Sequence, residues 1–128
     1  MKVSIITSCY NRAATIRGAI ESVLAQDYND IEFIVVDGSS TDGSLDIIRE
    51  YADRISITIS EPDHGMYEDI NNGIRVATGE IIGLLLSDDF FYDNGVIGRI
   101  VERMKQTHAD FLYGDGLFVS PVSYTHLR

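Results

Sequence analysis

Cysteine and basic residues are both scarce in this sequence. Cys9 is the single cysteine among 128 residues, so no disulfide can form within the chain, which fits a cytoplasmic setting. Ten Lys and Arg stand against twenty Asp and Glu, which gives a formal net charge of −10. A surface of that sign repels phosphate backbones, so we expect no nucleic acid partner.

Long hydrophobic runs are missing as well. No apolar stretch approaches the roughly 20 residues that a membrane-spanning helix needs, so we expect no transmembrane segment in this chain. The opening residues, MKVSIIT, lack a small-residue cleavage site and are typical of a first strand rather than of a signal peptide. The length of 128 residues, 45% of them hydrophobic, predicts one domain with a core of its own.

Short apolar strands alternate with amphipathic helices along most of the chain. This βαβαβαβαβ order predicts a three-layer α/β/α fold with a mostly parallel sheet covered by helices on both faces. The spacing places strands near 3–7, 31–37, 55–60, 80–86 and 110–115, and helices near 16–24, 45–52, 66–77 and 95–107.

Three expectations about burial follow from the periodicity. The segment EIIGLLL, residues 80–86, is expected to be a central strand buried on both faces. The isoleucines of ISITIS, residues 55–60, are expected on one face of a half-exposed strand. The third helix is expected to bury the stripe formed by Met66, Ile70, Ile74 and Ala77.

The last eight residues, PVSYTHLR, differ from the rest because they lack core periodicity. We therefore assign the domain to residues 1–120 and expect residues 121–128 to be a truncation scar or a non-native tail.

Polar side chains follow three of the predicted strands where those strands end. Thr7 ends the first, Asp37 the second, and Asp88 and Asp89 follow the fourth. Ligands of open parallel sheets bind beyond the carboxyl ends of the strands, so one site could hold all of them. The competing explanation is a turn followed by a helix cap, which for an Asp-Asp pair taken alone is the commoner one.

Two adjacent carboxylates repel each other unless a cation lies between them and the ligand. Hard oxygen ligands suit Mg²⁺ or Mn²⁺, which bind one or two carboxylates together with substrate phosphates and water. The neighbouring Cys9 is expected to be a small packing residue, and His64 a solvated loop histidine.

Four segments in the right order give the chain a resemblance to the N-terminal half of the family 2 glycosyltransferases of the GT-A fold. VSIITSCYNR resembles the opening strand and turn of that family, and IEFIVVDGSSTDGS its uridine-binding strand and loop. SEPDHGMYEDINNGIRVATGEIIGLLLSDD is similar to a subgroup with an EPDxGIYDAMNKGI stretch before the metal motif. The resemblance covers about residues 1–118 and implies a truncated, Rossmann-like, nucleotide-diphospho-sugar transferase fold.

The resemblance also implies roles for single residues. Thr7 and Tyr10 would line the nucleotide base, and Asp37 would accept a hydrogen bond from uracil. Asp88 would contact the ribose or sugar, and Asp89 would bind the metal on the diphosphate. Glu61 and Asp63 lie in the subgroup's loop without an assigned role.

The chain departs from the family pattern at three places. Gly38 stands where many relatives have a second acidic residue, and Ile70 where many have an arginine near the diphosphate. Phosphate neutralisation would then come from the metal, from His64 or from Arg75. The family's catalytic base is expected downstream of this chain, so we assign no catalytic residue here.

The function that follows is transfer of a sugar from a nucleotide-diphosphate donor, UDP-linked by resemblance, to an acceptor hydroxyl. The resemblance implies an inverting, metal-dependent reaction on a saccharide or lipid-linked acceptor of the cell envelope, in the cytoplasm or at the inner face of the membrane. Two alternatives stay open, a non-catalytic nucleotide-binding module and a receiver-like phosphoacceptor domain. In a receiver the acidic pair would follow the first strand, which here ends TSCYN.

Overall fold

A computed structural model describes residues 1–62, 65–108, 116–119 and 124–127, the last two segments by their backbone alone. Strands and helices alternate as the sequence predicts, and the second strand has the predicted bounds. In chain order the elements are β1 (Val3–Cys9), α1 (Ile16–Leu24), β2 (Ile31–Asp37), α2 (Ser44–Glu50), β3 (Ile57–Ser60), α3 (Met66–Val76), β4 (Ile81–Leu84), α4 (Val96–Thr107), β5 (Gly116–Val119) and β6 (Tyr124–Leu127).

The first four strands form one parallel sheet in the order β3-β2-β1-β4. β1 pairs with β2 from Val3 opposite Ile31 to Cys9 opposite Asp37, and with β4 from Val3 opposite Ile81. The carboxyl ends of β2 and β4 therefore flank the carboxyl end of β1. This order confirms the predicted parallel α/β sheet and brings the polar strand ends to one edge.

Helices cover both faces of this sheet. Successive side chains of a strand point to opposite faces, so each strand contributes to the packing on both sides. One face of β1 and β2 packs against α1, α2 and α4 in a large cluster, which also includes Ile81 and Leu85. The other face forms a smaller cluster around Ile6, Ile34 and Val36, to which β3 and Ala77, just after α3, add partly buried side chains. The three-layer arrangement is thus confirmed.

The fourth strand differs from its prediction as a central strand buried on both faces. Among the described strands of the four-stranded sheet, β4 is an edge strand that pairs only with β1. Ile81 and Leu85 are buried, but Ile82, Leu84 and Leu86 are 43%, 54% and 37% exposed. The physical reason is that α3 packs chiefly across β1 and β2 and leaves this face of β4 largely open.

The buried face of α3 also differs from the prediction. Asp69 and Gly73 are its buried residues, whereas Met66 and Ile74 are 44% and 42% exposed. Gly73 decides this, because an added Cβ would lie 2.6 Å from Cγ2 of Ile6, so the helix approaches β1 along its glycine rather than along the apolar stripe.

The strand from residue 55 to 60 is half exposed, as predicted, but its isoleucines do not share one environment. Ile57 and Ile59 pack on the small cluster, whereas Ile55 lies before β3 and packs in the large one.

The strand predicted at residues 110–115 lies outside the described residues, and a strand is instead described at Gly116–Val119. It pairs antiparallel with β6, Tyr124–Leu127. This backbone pairing does not test the origin of residues 121–128, so the non-native tail stays a prediction.

Candidate active site

A cleft of about 230 Å³ opens at the carboxyl ends of β1 and β4. Ligand pockets commonly occupy about 300–1,000 Å³, so this cleft suits part of a nucleotide sugar rather than all of it. Its position at the strand ends is the one that the parallel sheet predicted. The residues that line it are Ser8, Cys9, Tyr10, Arg12, Met66, Asp69, Leu86, Ser87 and Asp88.

Hydrogen bonds between the β1–α1 and β2–α2 loops fix one rim of the cleft. The backbone N–H of Asn11 donates to Oγ of Ser40 at 3.0 Å, and the N–H of Thr41 donates to Oδ1 of Asn11 at 2.8 Å. Asn11 has a φ of 51°, a left-handed conformation that asparagine tolerates better than most residues. These bonds hold Tyr10 and Arg12 on either side of Asn11 in fixed places.

Asp42 strengthens the same connection between the loops. Its carboxylate accepts hydrogen bonds from the Ser44 hydroxyl at 2.6 Å and from the N–H groups of Ala13 and Ser44, each at 3.0 Å. The Ser44 hydroxyl bond and the Ala13 backbone bond lower the pKa of Asp42, so the carboxylate stays ionised. Ser44 in turn accepts a 2.8 Å bond from the N–H of Arg12.

Arg12 supplies a positive charge to this cleft. Its guanidinium donates to the carbonyl oxygens of Tyr10 at 3.4 Å and of Asn11 at 3.2 Å, and it forms no ion pair with any described carboxylate. The charge is therefore available to an anionic ligand. The sequence analysis named His64 and Arg75 instead; His64 lies outside the described residues, and Arg75 is exposed on α3 and does not line the cleft.

The predicted site residues occupy three different environments. Tyr10 is 46% exposed and lines the cleft together with Asp88. Thr7 is fully buried on the face of β1 that packs into the large cluster, and its Oγ1 has no hydrogen-bond partner among the described residues. Thr7 does not line the cleft.

Asp37 lies at the expected strand end but is fully buried. Its carboxylate accepts bonds from the N–H and the hydroxyl of Ser40, at 3.0 and 2.6 Å, and a weaker one from the Ser60 hydroxyl at 3.3 Å. Asp37 is thus held by donors of the β2–α2 loop and of β3. Its role in base recognition stays a prediction.

Asp89 follows Asp88, which lines the cleft, and lies at the end of a turn. The backbone N–H of Asp89 donates to the carbonyl oxygen of Leu86 at 3.0 Å. Both carboxylates are exposed on the surface, yet partial burial, followed by the charge of Asp88, raises the pKa of Asp89. This is the direction expected for a carboxylate that is partly removed from water beside a like charge.

The described residues contain no group of three or more His, Cys, Asp or Glu that could hold a metal ion. A protein-only metal cage is therefore absent from the described part. The Asp88–Asp89 pair still fits a magnesium-like ion, because such ions commonly take one or two carboxylates and complete their shell with phosphate and water.

Four polar residues of the cleft were missed by sequence reasoning. Besides Arg12, Ser8 and Ser87 stand beside the strand ends, and Asp69 reaches the cleft from α3, the helix on the smaller-cluster face of the sheet. The placement of Asp69 depends on the packing of α3 against β1, so no local pattern indicated it. Cys9 also lines the cleft, but burial raises its pKa and keeps it a neutral thiol, as its packing role predicts.

Comparison with known proteins gives this cleft a family context. The model of the family described as "Glycosyl transferase family 2" matches residues 4–125 of the chain. The chain belongs to glycosyl transferase family 2. Membership speaks against a receiver-like phosphoacceptor domain, while the narrower likeness to the EPDxGIYDAMNKGI subgroup stays a prediction.

Relatives of family 2 extend well beyond the length of this chain. An uncharacterized glycosyltransferase of Nostoc sp. is 39% identical over 96% of the chain but only 41% of its own length. Staphylococcus aureus TarS 1–349 in complex with UDP-GlcNAc superposes with a TM-score of 0.79 at 26% identity, over 86% of the chain and 33% of TarS. The chain thus spans less than half the length of these proteins.

A second solved structure is the mannosyltransferase PcManGT from Pyrobaculum calidifontis in complex with GDP-Man and Mn²⁺. It superposes with a TM-score of 0.76 at 27% identity, over 92% of the chain and 35% of its own length. These likenesses confirm the GT-A fold. The helices of the described residues include none that is long and apolar enough to cross a membrane.

Proposed function

We propose that this chain is the donor-binding part of a metal-dependent, inverting glycosyltransferase that uses a UDP-sugar. The observation that carries the proposal is the cleft itself, in which an exposed tyrosine, an aspartate and an arginine without an ion pair to any described carboxylate meet at the strand ends of a family 2 fold. Two solved structures of the same fold are complexes with nucleotide sugars, TarS with UDP-GlcNAc and PcManGT with GDP-Man.

The nucleotide would lie across the rim formed by Tyr10 and Arg12. The Tyr10 ring is exposed enough to stack on a base, and the Arg12 guanidinium can donate to two phosphate oxygens at once. In this proposal Thr7 and Tyr10 line the base, Asp37 accepts a hydrogen bond from uracil, and Asp88 accepts one from the ribose or the sugar.

Asp89 would hold the metal ion, Mg²⁺ or Mn²⁺, with Asp88 beside it. When bound, such an ion stabilises negative charge on a leaving diphosphate as a Lewis acid. This neutralisation suits a chain with a net charge of −10, in which Arg12 is the single cation among the described residues that line the cleft. The Mn²⁺ bound in PcManGT supports this choice of cofactor.

Metal-linked donor binding is tested by titrating the chain with UDP, with ADP as a base control, with and without Mn²⁺. We expect Mn²⁺ to strengthen UDP binding and Asp89→Ala to remove the gain, because a charge-assisted contact is worth about 1.5–3 kcal/mol, or roughly tenfold or more in affinity. Asp53→Ala, at an exposed position after α2, is the matched control and should bind like the unmodified chain. Metal-independent UDP binding that is unchanged in Asp89→Ala would leave the pair as a turn and cap.

The catalytic base and the acceptor site are proposed to lie beyond this chain, so residues 1–128 alone should transfer sugar negligibly. A general base contributes about 10²–10⁴-fold to such reactions, and acceptor positioning can contribute more. The proposed acceptor is a saccharide or lipid-linked molecule of the cell envelope, used at the cytoplasmic side of the membrane.

Donor turnover by this chain, measured beside a longer version that continues past Ser120, tests this proposal. Comparable metal-dependent turnover in both would contradict it, and Asp115, outside the described residues, would be the first candidate base to mutate. A chain that binds UDP while no longer version turns it over would favour the alternative of a non-catalytic nucleotide-binding module.

A further inference from the structure

Asp69 is a buried carboxylate that no part of the proposed mechanism uses. It is 4% exposed and lies in the first turn of α3, yet it lines the cleft. Asp69 already takes part in a polar interaction within the protein, as is usual for a buried aspartate, because removing its charge from water is costly. The EPDxGIYDAMNKGI pattern has alanine at this place, so the resemblance assigns Asp69 no role.

The packing of α3 explains why Asp69 reaches the cleft. Gly73 contacts Ile6 so closely that any Cβ would collide with it, and Asp69 lies one turn earlier on the same side of the helix. The close approach at Gly73 therefore delivers Asp69 to the end of β1, where Ser8 also lines the cleft. A substitution of Asp69 by a small apolar residue would fit this packing without leaving a buried polar group.

The neighbours of Asp69 in the cleft narrow the ligand chemistry. Ser8, Ser87 and Asp88 line the same cleft, so together with Asp69 they bring two carboxylates and two hydroxyls to its wall. Phosphate oxygens approach these carboxylates only with a metal ion between them, whereas ligand hydroxyls can donate to the carboxylates directly. A carboxylate has about four acceptor positions, so a bond within the protein leaves capacity for a ligand.

We propose that Asp69 is a donor-binding residue that accepts hydrogen bonds from hydroxyl groups of the ribose or of the transferred sugar. The inference rests on the proposed function, which places a nucleotide sugar in this cleft, and adds to it the part of the ligand that this wall binds. In this arrangement the metal ion and Arg12 hold the diphosphate, and the hydroxyl-rich part of the ligand faces Asp69, Ser8 and Ser87.

The test uses ligands that differ only in their hydroxyl groups. The chain is titrated, in the presence of Mn²⁺, with UDP, with 2′,3′-dideoxy-UDP, with UDP-glucose and with UDP-N-acetylglucosamine. The same titrations are made on Asp69→Asn and Asp69→Ala, the second of which suits a buried site, and on Glu68→Gln, an exposed acidic neighbour, as the matched control.

A ribose contact predicts that both Asp69 variants lose roughly tenfold or more in affinity for UDP but bind 2′,3′-dideoxy-UDP as the unmodified chain does. A sugar contact predicts an equal loss for at least one UDP-sugar with no change for UDP. Glu68→Gln should behave as the unmodified chain in every titration. Either pattern supports the proposal and identifies the source of the hydroxyl.

Equal losses for all four ligands would overturn the inference, because they would indicate a role in folding or in base binding. No loss for any ligand would overturn it as well, while the metal-dependent binding of UDP would leave the proposed function standing. Failure of the unmodified chain to bind any of the four would overturn both.

Discussion

Glu32 offers a sharp test of how the segment between α3 and β4 is attached to the sheet. It lies near the start of β2, away from the cleft, and is 9% exposed. Its carboxylate accepts bonds from the N–H and the hydroxyl of Thr78, both at 2.9 Å, and from the hydroxyl of Ser4 at 2.8 Å, and it forms an ion pair with Lys2 at 3.5 Å. These contacts fasten the segment between α3 and β4 to the first two strands.

The hydrogen bonds to Glu32 give the stabilisation a pH dependence. The backbone bond from Thr78 and the bonds from the Ser4 and Thr78 hydroxyls, with a smaller effect of the charge of Lys2, lower the pKa of Glu32 from 4.5 to about 2, against the opposing effect of burial. Each pKa unit between the folded and unfolded states corresponds to about 1.36 kcal/mol, so Glu32 contributes at most about 3 kcal/mol. Because the folded-state pKa is depressed, this contribution is fully present above pH 4.5 and is lost as the pH falls toward 2.

Glu32→Gln should therefore lower the free energy of unfolding at pH 7 by about 1.5–3 kcal/mol, since the amide keeps the shape but not the charge. In a domain of this size that corresponds to a fall in Tm of roughly 5–15 °C. Urea unfolding followed by circular dichroism measures the change. Glu80→Gln, at an exposed position before β4, is the matched control and should stay within about 0.5 kcal/mol of the unmodified chain.

The pH series decides whether the charge of Glu32 is responsible. The difference between the unmodified chain and Glu32→Gln should shrink as the pH falls from about 4.5 toward 2. A difference that is the same at pH 7 and pH 2.5 would refute the electrostatic reasoning and leave only a packing effect. A loss equal to that of Glu80→Gln would refute the structural role altogether.

Two further predictions concern the cleft rim and the packing of α3. Arg12→Ala should weaken UDP binding roughly tenfold, and this loss of affinity should diminish at high salt, whereas Arg49→Ala, at an exposed position on α2, should not weaken UDP binding. Calorimetric titrations at two salt concentrations measure the affinities. A loss of affinity that salt leaves unchanged would contradict a charge contact between Arg12 and UDP. Gly73→Ala should destabilise the chain by about 1–3 kcal/mol, because the added Cβ collides with Ile6. Gly18→Ala in α1, where an added Cβ has nothing within 4 Å, should stabilise the chain by up to about 1 kcal/mol. Equal urea midpoints for the two variants would contradict the close approach of α3 to β1.

The order of the elements and much of the core were predictable from the sequence. The apolar run of residues 31–37 predicted the observed bounds of β2, and the helical spacing predicted a helix near residues 95–107, where α4 lies. Local periodicity is sufficient for this, because it decides which side chains share a face of a strand or helix. The predicted strands also placed Asp37 and Asp88 at the carboxyl ends of β2 and β4, which prove to be the two neighbours of β1.

Which of those faces meets another element was decided only by the tertiary structure. Periodicity describes β4 as apolar on both faces, but its edge position leaves Leu84 54% exposed. For α3, periodicity predicts that the side with the isoleucines is buried. The close contact of Gly73 with Ile6 instead orients the helix so that Asp69 is buried. The same holds for the site, where Asp37 is covered by the β2–α2 loop and Arg12 lines the cleft. These outcomes depend on contacts between residues far apart in the sequence, and the spacing of neighbouring residues carries no information about them.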